Sequence, residues 1–171
     1  MKKHLIVITL FLFAFQMSAQ EINWISFEKA VELNKASPKP LLISVYATWC
    51  GWCKKMDKTT YQNTVIKNYI NENFYPVKLD GEGKDDIKFN NYTFKFKQQG
   101  KTKYNEFAAA LLNGKLSYPT TVFMNEKLEL LDKLPGYLDT KIMEKVVAFF
   151  ATKKYETVKW EDFVKNFKSS L

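Results

Sequence analysis

The chemistry of this sequence is concentrated in Cys50-Gly51-Trp52-Cys53, which holds both of its cysteines. The pair follows a short apolar run, Leu41 to Tyr46, and precedes a stretch with helical spacing. A cysteine at such a junction lies at a helix N-terminus, where unpaired backbone N–H groups and the positive dipole end favour an anion. A thiolate held there has a pKa below the ordinary ~8.5. The second cysteine stands one helical turn on, so its sulfur can reach back and close a small ring. Together they can exchange with a disulfide in two steps. Cys50 attacks and forms a mixed disulfide, and Cys53 resolves it.

Other uses of the pair fit less well. A zinc site takes about four ligands, and a monomer has these two cysteines to offer. Haem attachment places a histidine directly after the second cysteine, where this chain has Lys54. A purely structural disulfide is the plain alternative, although it closes a loop too small to restrain the unfolded chain much. Composition narrows the choice further. All 26 basic residues are lysine, so no guanidinium is present to clamp phosphate, carboxylate or guanine. The lysines are spread along the chain among 18 acidic residues, which suits a solvated surface rather than nucleic acid. The one histidine is His4. No metal and no cofactor are expected.

The elements that must position the cysteines are legible around them. The chain of 171 residues, 46% of them hydrophobic, is long enough for one packed core. Ser26 caps an amphipathic helix through Leu33, which Pro38 and Pro40 end. Leu41 to Tyr46 reads as a strand buried on both faces. Helix is expected from about Cys50 to Asn73, with a break near Thr59-Thr60, and then a strand from Tyr75 to Asp80. Residues 84–104 alternate around Asn90-Asn91 and predict a hairpin. Tyr104 to Leu112 reads as a helix ended by Asn113-Gly114. Thr120 to Met124 and Leu128 to Leu134 form a second hairpin around Asn125-Glu126-Lys127. Asp139 caps a helix to about Ala151, and a last helix spans Trp160 to Phe167. The sum is an α/β domain with a central mixed sheet flanked by helices.

Residues 1–19 have the layout of a cleavable signal peptide: Lys2 and Lys3, an apolar run from Leu5 to Phe15, then small residues up to Ala19. The apolar run is too short to span ~30 Å of hydrocarbon at ~1.5 Å per residue. Cleavage after Ala19 leaves a domain over 20–171 and removes His4, so the mature protein has no imidazole. The expected location is the periplasm or the outside of the cell.

The segment Val45-Tyr46-Ala47-Thr48-Trp49-Cys50-Gly51-Trp52-Cys53-Lys54-Lys55-Met56 resembles the active-site segment of thioredoxin-like proteins. The match is best with exported bacterial members that have Gly-Trp between the cysteines. The resemblance runs in order of elements over about residues 24–152. Tyr118-Pro119-Thr120-Thr121-Val122-Phe123 looks like the family's cis-proline segment. The resemblance implies a thioredoxin-like fold, a cis Pro119 beside the cysteines, and substrate binding by Trp49, Trp52, Tyr118 and Pro119. Gly136 resembles the glycine that lets substrate approach.

The sequence departs from the family pattern in three places. Ser44 stands where thioredoxins carry a buried acid that accepts the resolving thiol's proton. Lys78 matches the family's lysine on the neighbouring strand and is a candidate proton relay, against the reading of a surface strand lysine. Trp52 replaces the usual proline. The interval from Lys78 to Pro119 is also longer than the family pattern, which makes 84–104 an inserted hairpin before the cis-proline; residues 155–171, beyond the resemblance, are expected to form a C-terminal helical extension.

The resemblance therefore implies a thiol–disulfide oxidoreductase acting on disulfides of exported proteins, reductase or isomerase rather than oxidant. Its partners would be exported substrate proteins and, for a reductase, a membrane-embedded thiol-electron donor; the protein itself is expected to be a monomer. The alternatives are a thioredoxin-fold binding or chaperone module with a non-catalytic pair, and a metal-bridged dimer.

Overall fold

Backbone chemistry accounts for most element boundaries in the computed structural model, which describes residues 21–171. The leader expected at 1–19 lies outside the described residues. Helix α1, Phe27–Ala36, starts where Ser26 Oγ accepts the Lys29 N–H at 3.2 Å. Strand β1, Leu41–Tyr46, leads to helix α2, Gly51–Lys58, with Cys50 as its N-cap. A short 3₁₀ turn at Thr60–Gln62 separates α2 from α3, Thr64–Asn73, which Asn63 caps. Strand β2 is Tyr75–Asp80. Hairpin β3–β4, Ile87–Phe89 and Tyr92–Phe94, turns at Asn90 and Asn91, whose φ values of 50° and 61° match a type I′ turn. A second hairpin follows, β5 Phe96–Gln99 and β6 Thr102–Asn105, turning at Gly100. Helix α4, Glu106–Leu111, leads to β7, Thr120–Met124, and β8, Leu130–Pro135. Asp139 caps α5, Thr140–Ala151, and α6 is Trp160–Asn166.

The main sheet has the order β2-β1-β7-β8, with β1 parallel to β2 and the other pairs antiparallel. Alternation along the strands sends side chains to opposite faces. Leu42 and Phe123 join the core beneath α2, α3 and α5. Leu41, Ile43, Val45 and Val122 join the core on the α1 and α4 side. Phe123 stacks on Phe150 with centroids 4.1 Å apart, which ties β7 to α5. The C-terminal extension docks on the same side through Phe149, Trp160 and Phe163.

The structure corrects the reading of 84–104. The alternation of Tyr92 to Phe96 is one strand in sequence pattern, yet β4 ends at Phe94 and Phe96 begins β5. The chain turns between them because Glu106 holds this point from both of its ends: its carboxylate accepts the Lys95 N–H, and its own N–H donates to the Lys95 carbonyl. Tyr104 consequently pairs with Lys97 in β6, and the following helix starts after Asn105, whose side chain caps it. Strand β8 likewise begins at Leu130, because Asn125 Oδ1 accepts from the N–H groups of Lys127 and Glu129 and extends the turn.

Candidate active site

Strand β1 delivers the cysteines to the edge of the core. The Cys50 N–H bonds the Ala47 carbonyl at 3.0 Å, and the Cys53 N–H donates to Cys50 Sγ at 3.0 Å. The two sulfurs form a disulfide at the N-terminus of α2. Reduction would leave Cys50 Sγ facing that N–H and the helix dipole, both of which favour a thiolate. The cysteines are 4% and 3% exposed, whereas Trp49 and Trp52 beside them are 65% and 57% exposed. A protein approaching the sulfurs therefore meets indole first.

Each tryptophan is anchored. The Trp49 indole N–H donates to the Glu82 carboxylate at 2.9 Å, and its ring stands edge-on to Tyr118 at 5.9 Å. Trp52 packs on Tyr137, and the Lys55 ammonium lies 4.7 Å and 5.1 Å from the Trp52 and Tyr137 ring centroids. The Tyr118–Pro119 peptide is cis, in line with the resemblance. Tyr118 packs against Ala47, Cys50 and Cys53. Burial, followed by the charges of Glu82 and Asp80, pushes its phenol up to about 12. Gly136 donates its N–H to the Pro119 carbonyl at 2.8 Å from a φ of 98°, a conformation that suits glycine. The residues expected to bind substrate thus surround the cysteines.

Beneath α2 the sheet carries a polar row. Ser44 is the register partner of Lys78 on one side and Thr121 on the other. Lys78 is half-buried: its ammonium pairs with Asp57, lies 3.4 Å from Ser44 Oγ, and sits against the rings of Trp24, Tyr46 and Tyr61. Tyr61 Oη faces the hydroxyls of Ser44 and Thr121, yet completes no hydrogen bond among the described residues. Burial pushes this phenol up to about 12. A cleft of about 270 Å³ opens from solvent onto Asp57, Tyr61 and Lys78.

Asp57 is the residue that sequence reasoning missed. It follows Cys53 by one helical turn, so both lie on one face of α2. That spacing was a usable signal: a carboxylate absent from Ser44 can be supplied from the helix instead. Among the described residues, no group of three or more His, Cys, Asp or Glu side chains is placed to hold a metal ion.

Comparison with known proteins agrees with this geometry. The family model Thioredox_DsbH, described as "Protein of unknown function, DUF255", matches residues 9–166.

The chain belongs to this thioredoxin-like DsbH family.

The solved structure of a DsbH oxidoreductase superposes with a TM-score of 0.56 at 20% identity, covering 81% of this chain and 89% of that one. A thioredoxin from Thermus thermophilus gives 0.58 at 13% identity, covering 78% and 90%. These likenesses show a thioredoxin fold. In sequence, the chain is 29% identical over 65 residues to the disulfide bond reductase DsbH of Chlamydia pneumoniae, 37% of this chain and 39% of that protein. It is 32% identical over 73 residues to spermatogenesis-associated protein 20 of Rattus norvegicus, 42% of this chain and 9% of that protein. The chain spans a tenth or less of the length of this and similar long relatives. Within the DsbH family, the described part of this chain has no helix long and apolar enough to cross a membrane.

Proposed function

We propose that this DsbH-family protein is a thiol–disulfide oxidoreductase that reduces or isomerises disulfides of exported proteins. The observation that carries the reading is the Cys50–Cys53 disulfide at the N-terminus of α2, with the Cys53 N–H on Cys50 Sγ and the cis Pro119 loop alongside.

The reduced protein begins the cycle. The Cys50 thiolate attacks one sulfur of a substrate disulfide. An S–S bond forms between protein and substrate, the substrate S–S bond breaks, and the departing thiolate takes up a proton. Cys53 then loses its proton and attacks Cys50 Sγ, which releases the second substrate thiol. Two electrons pass to the substrate and the protein is left oxidised. The proton of Cys53 leaves through the Asp57–Lys78 pair to the cleft above it. Asp57 and Lys78 do here what Ser44, a hydroxyl, cannot do as a carboxylate base. Trp49, Trp52, Tyr118 and Pro119 hold the substrate segment.

A reductase of this kind is recharged by an outside thiol donor. The relatives include a protein named thiol:disulfide interchange protein DsbD from Pectobacterium atrosepticum, 29% identical over 58 residues. The leader expected at 1–19 supports work outside the cytoplasm, where a membrane-embedded thiol donor would recharge the pair.

The test is an equilibrium titration of the Cys50–Cys53 pair against glutathione. Related pairs span roughly −270 to −120 mV. A value near the reducing end supports reduction or isomerisation, and a value near the oxidising end replaces this reading with disulfide donation.

A further inference from the structure

A cleft of about 540 Å³ lies beside the Pro119 loop, between the end of α4 and the edge strand β8. Leu112 and Pro135 line it with apolar surface, and Ser117, Thr120, Lys115 and Lys133 with polar groups. The Lys133 ammonium is buried and meets no hydrogen-bond partner among the described residues. Burying a cation in that way is costly unless something pairs with it. No carboxylate lines the cleft. The carboxylate next in sequence, Asp132, accepts instead from the backbone N–H of Lys133. Packing does not ask for a lysine there, since its register partner is the buried Val122.

We propose that this cleft receives an acidic side chain, glutamate or aspartate, from the substrate segment that flanks the attacked disulfide. The inference rests on the function proposed above. Lys133 supplies the charge partner, Lys115 a second cation at the mouth, and Leu112 and Pro135 cover the methylene stem. Ser117 and Thr120 directly flank Tyr118-Pro119 in the chain. A peptide aligned on that loop therefore runs past the cleft, and a residue near the substrate cysteine reaches it. Lys133 is a specificity residue and takes no part in the exchange itself.

The experiment compares cysteine peptides in mixed disulfide with a neutral thiol. Each peptide carries one glutamate, placed in turn at the positions on either side of the cysteine, and is matched by its glutamine counterpart. At one or two positions kcat/KM should favour glutamate by about ten-fold, equivalent to ~1.4 kcal/mol. Lys133→Met should bring that ratio to about one, and Lys133→Arg, which keeps the charge, should retain it. A wild-type ratio near one at every position overturns the proposal, as does a preference that survives Lys133→Met. Failure of the functional reading looks different, because no peptide of either kind is then turned over. In that event, titration of the protein with the disulfide-free peptides decides. Glutamate-specific shifts in the backbone amide signals of Ser117, Thr120 and Lys133 support the cleft, and their absence overturns it.

Discussion

Gly81→Ala should loosen the loop that carries Pro119 without touching the cysteines. Gly81 follows β2 and bonds its N–H to the Tyr46 carbonyl at 2.7 Å. A Cβ at this position would lie 2.3 Å from Tyr118 Oη, 2.4 Å from Cε1 and 2.5 Å from Cζ. Ordinary carbon contacts are ~3.5–4.0 Å, so the ring must give way by about an ångström. The ring is flanked by Trp49, which Glu82 holds in place, and by the cysteine cluster. Its displacement is therefore an overpacking of the site, with an expected cost of ~1–3 kcal/mol. For a domain of this size that corresponds to a fall in Tm of roughly 2–12 °C. Thermal unfolding of a double-mutant cycle with Tyr118→Ala isolates the cause. The penalty of Gly81→Ala should largely vanish once the phenol is gone. An equal loss in both backgrounds would refute the steric reasoning. The same substitution should lower kcat/KM on a protein disulfide, because Tyr118 and Trp49 move together.

Asp57→Asn should slow resolution by Cys53 at neutral pH by about a hundred-fold or more, within the range for a lost general base. The loss should shrink as pH rises and hydroxide takes the proton, so stopped-flow pH profiles should shift to the alkaline side. A uniform loss at all pH values would contradict a proton role. Tyr61 has its phenol pushed up to about 12 by burial, so the folded state holds that proton more tightly than the unfolded chain. The associated stability is complete below pH ~10 and is lost as pH rises through the folded value, about 3 kcal/mol in all. Denaturant unfolding from pH 9 to about 12 should show this slope in the wild type, and Tyr61→Phe should lessen it, leaving the part that Tyr118, also pushed up to about 12, contributes. Phe123→Ala should cost ~3–5 kcal/mol by opening a cavity against Phe74 and Phe150, measured by the same unfolding.

Strands β1 and β7 follow the predicted boundaries because burial on both faces leaves one register, and the edge strand β2 does so because Pro76 and the breakers after Asp80 frame its buried Val77 and Leu79. The caps at Ser26 and Asp139 were equally legible, since a short oxygen-bearing side chain before an amphipathic run has few other uses. The second hairpin was not, because β5 and β6 alternate in exposed polar residues and are set by Glu106 from outside the pair. At the site, the cysteines and Pro119 announced themselves through spacing and resemblance. Asp57 did not, because the pattern pointed to the strand position now held by Ser44. The Asp57 carboxylate comes from α2, and only the register of Lys78 with Ser44 shows that it reaches the same spot as that strand position. The Lys133 cleft was invisible for the same reason: it joins residues from α4, a loop and β8 that are remote in sequence.

Trapping the covalent intermediate tests the central claim most directly. A reduced Cys53→Ser variant incubated with a disulfide-bearing exported protein should accumulate a mixed disulfide through Cys50, seen by mass spectrometry and released by reductant. Cys50→Ser should accumulate none. If Cys53→Ser traps no partner while the wild-type pair stays closed under reducing conditions, Cys50 and Cys53 are a structural staple and the exchange mechanism fails.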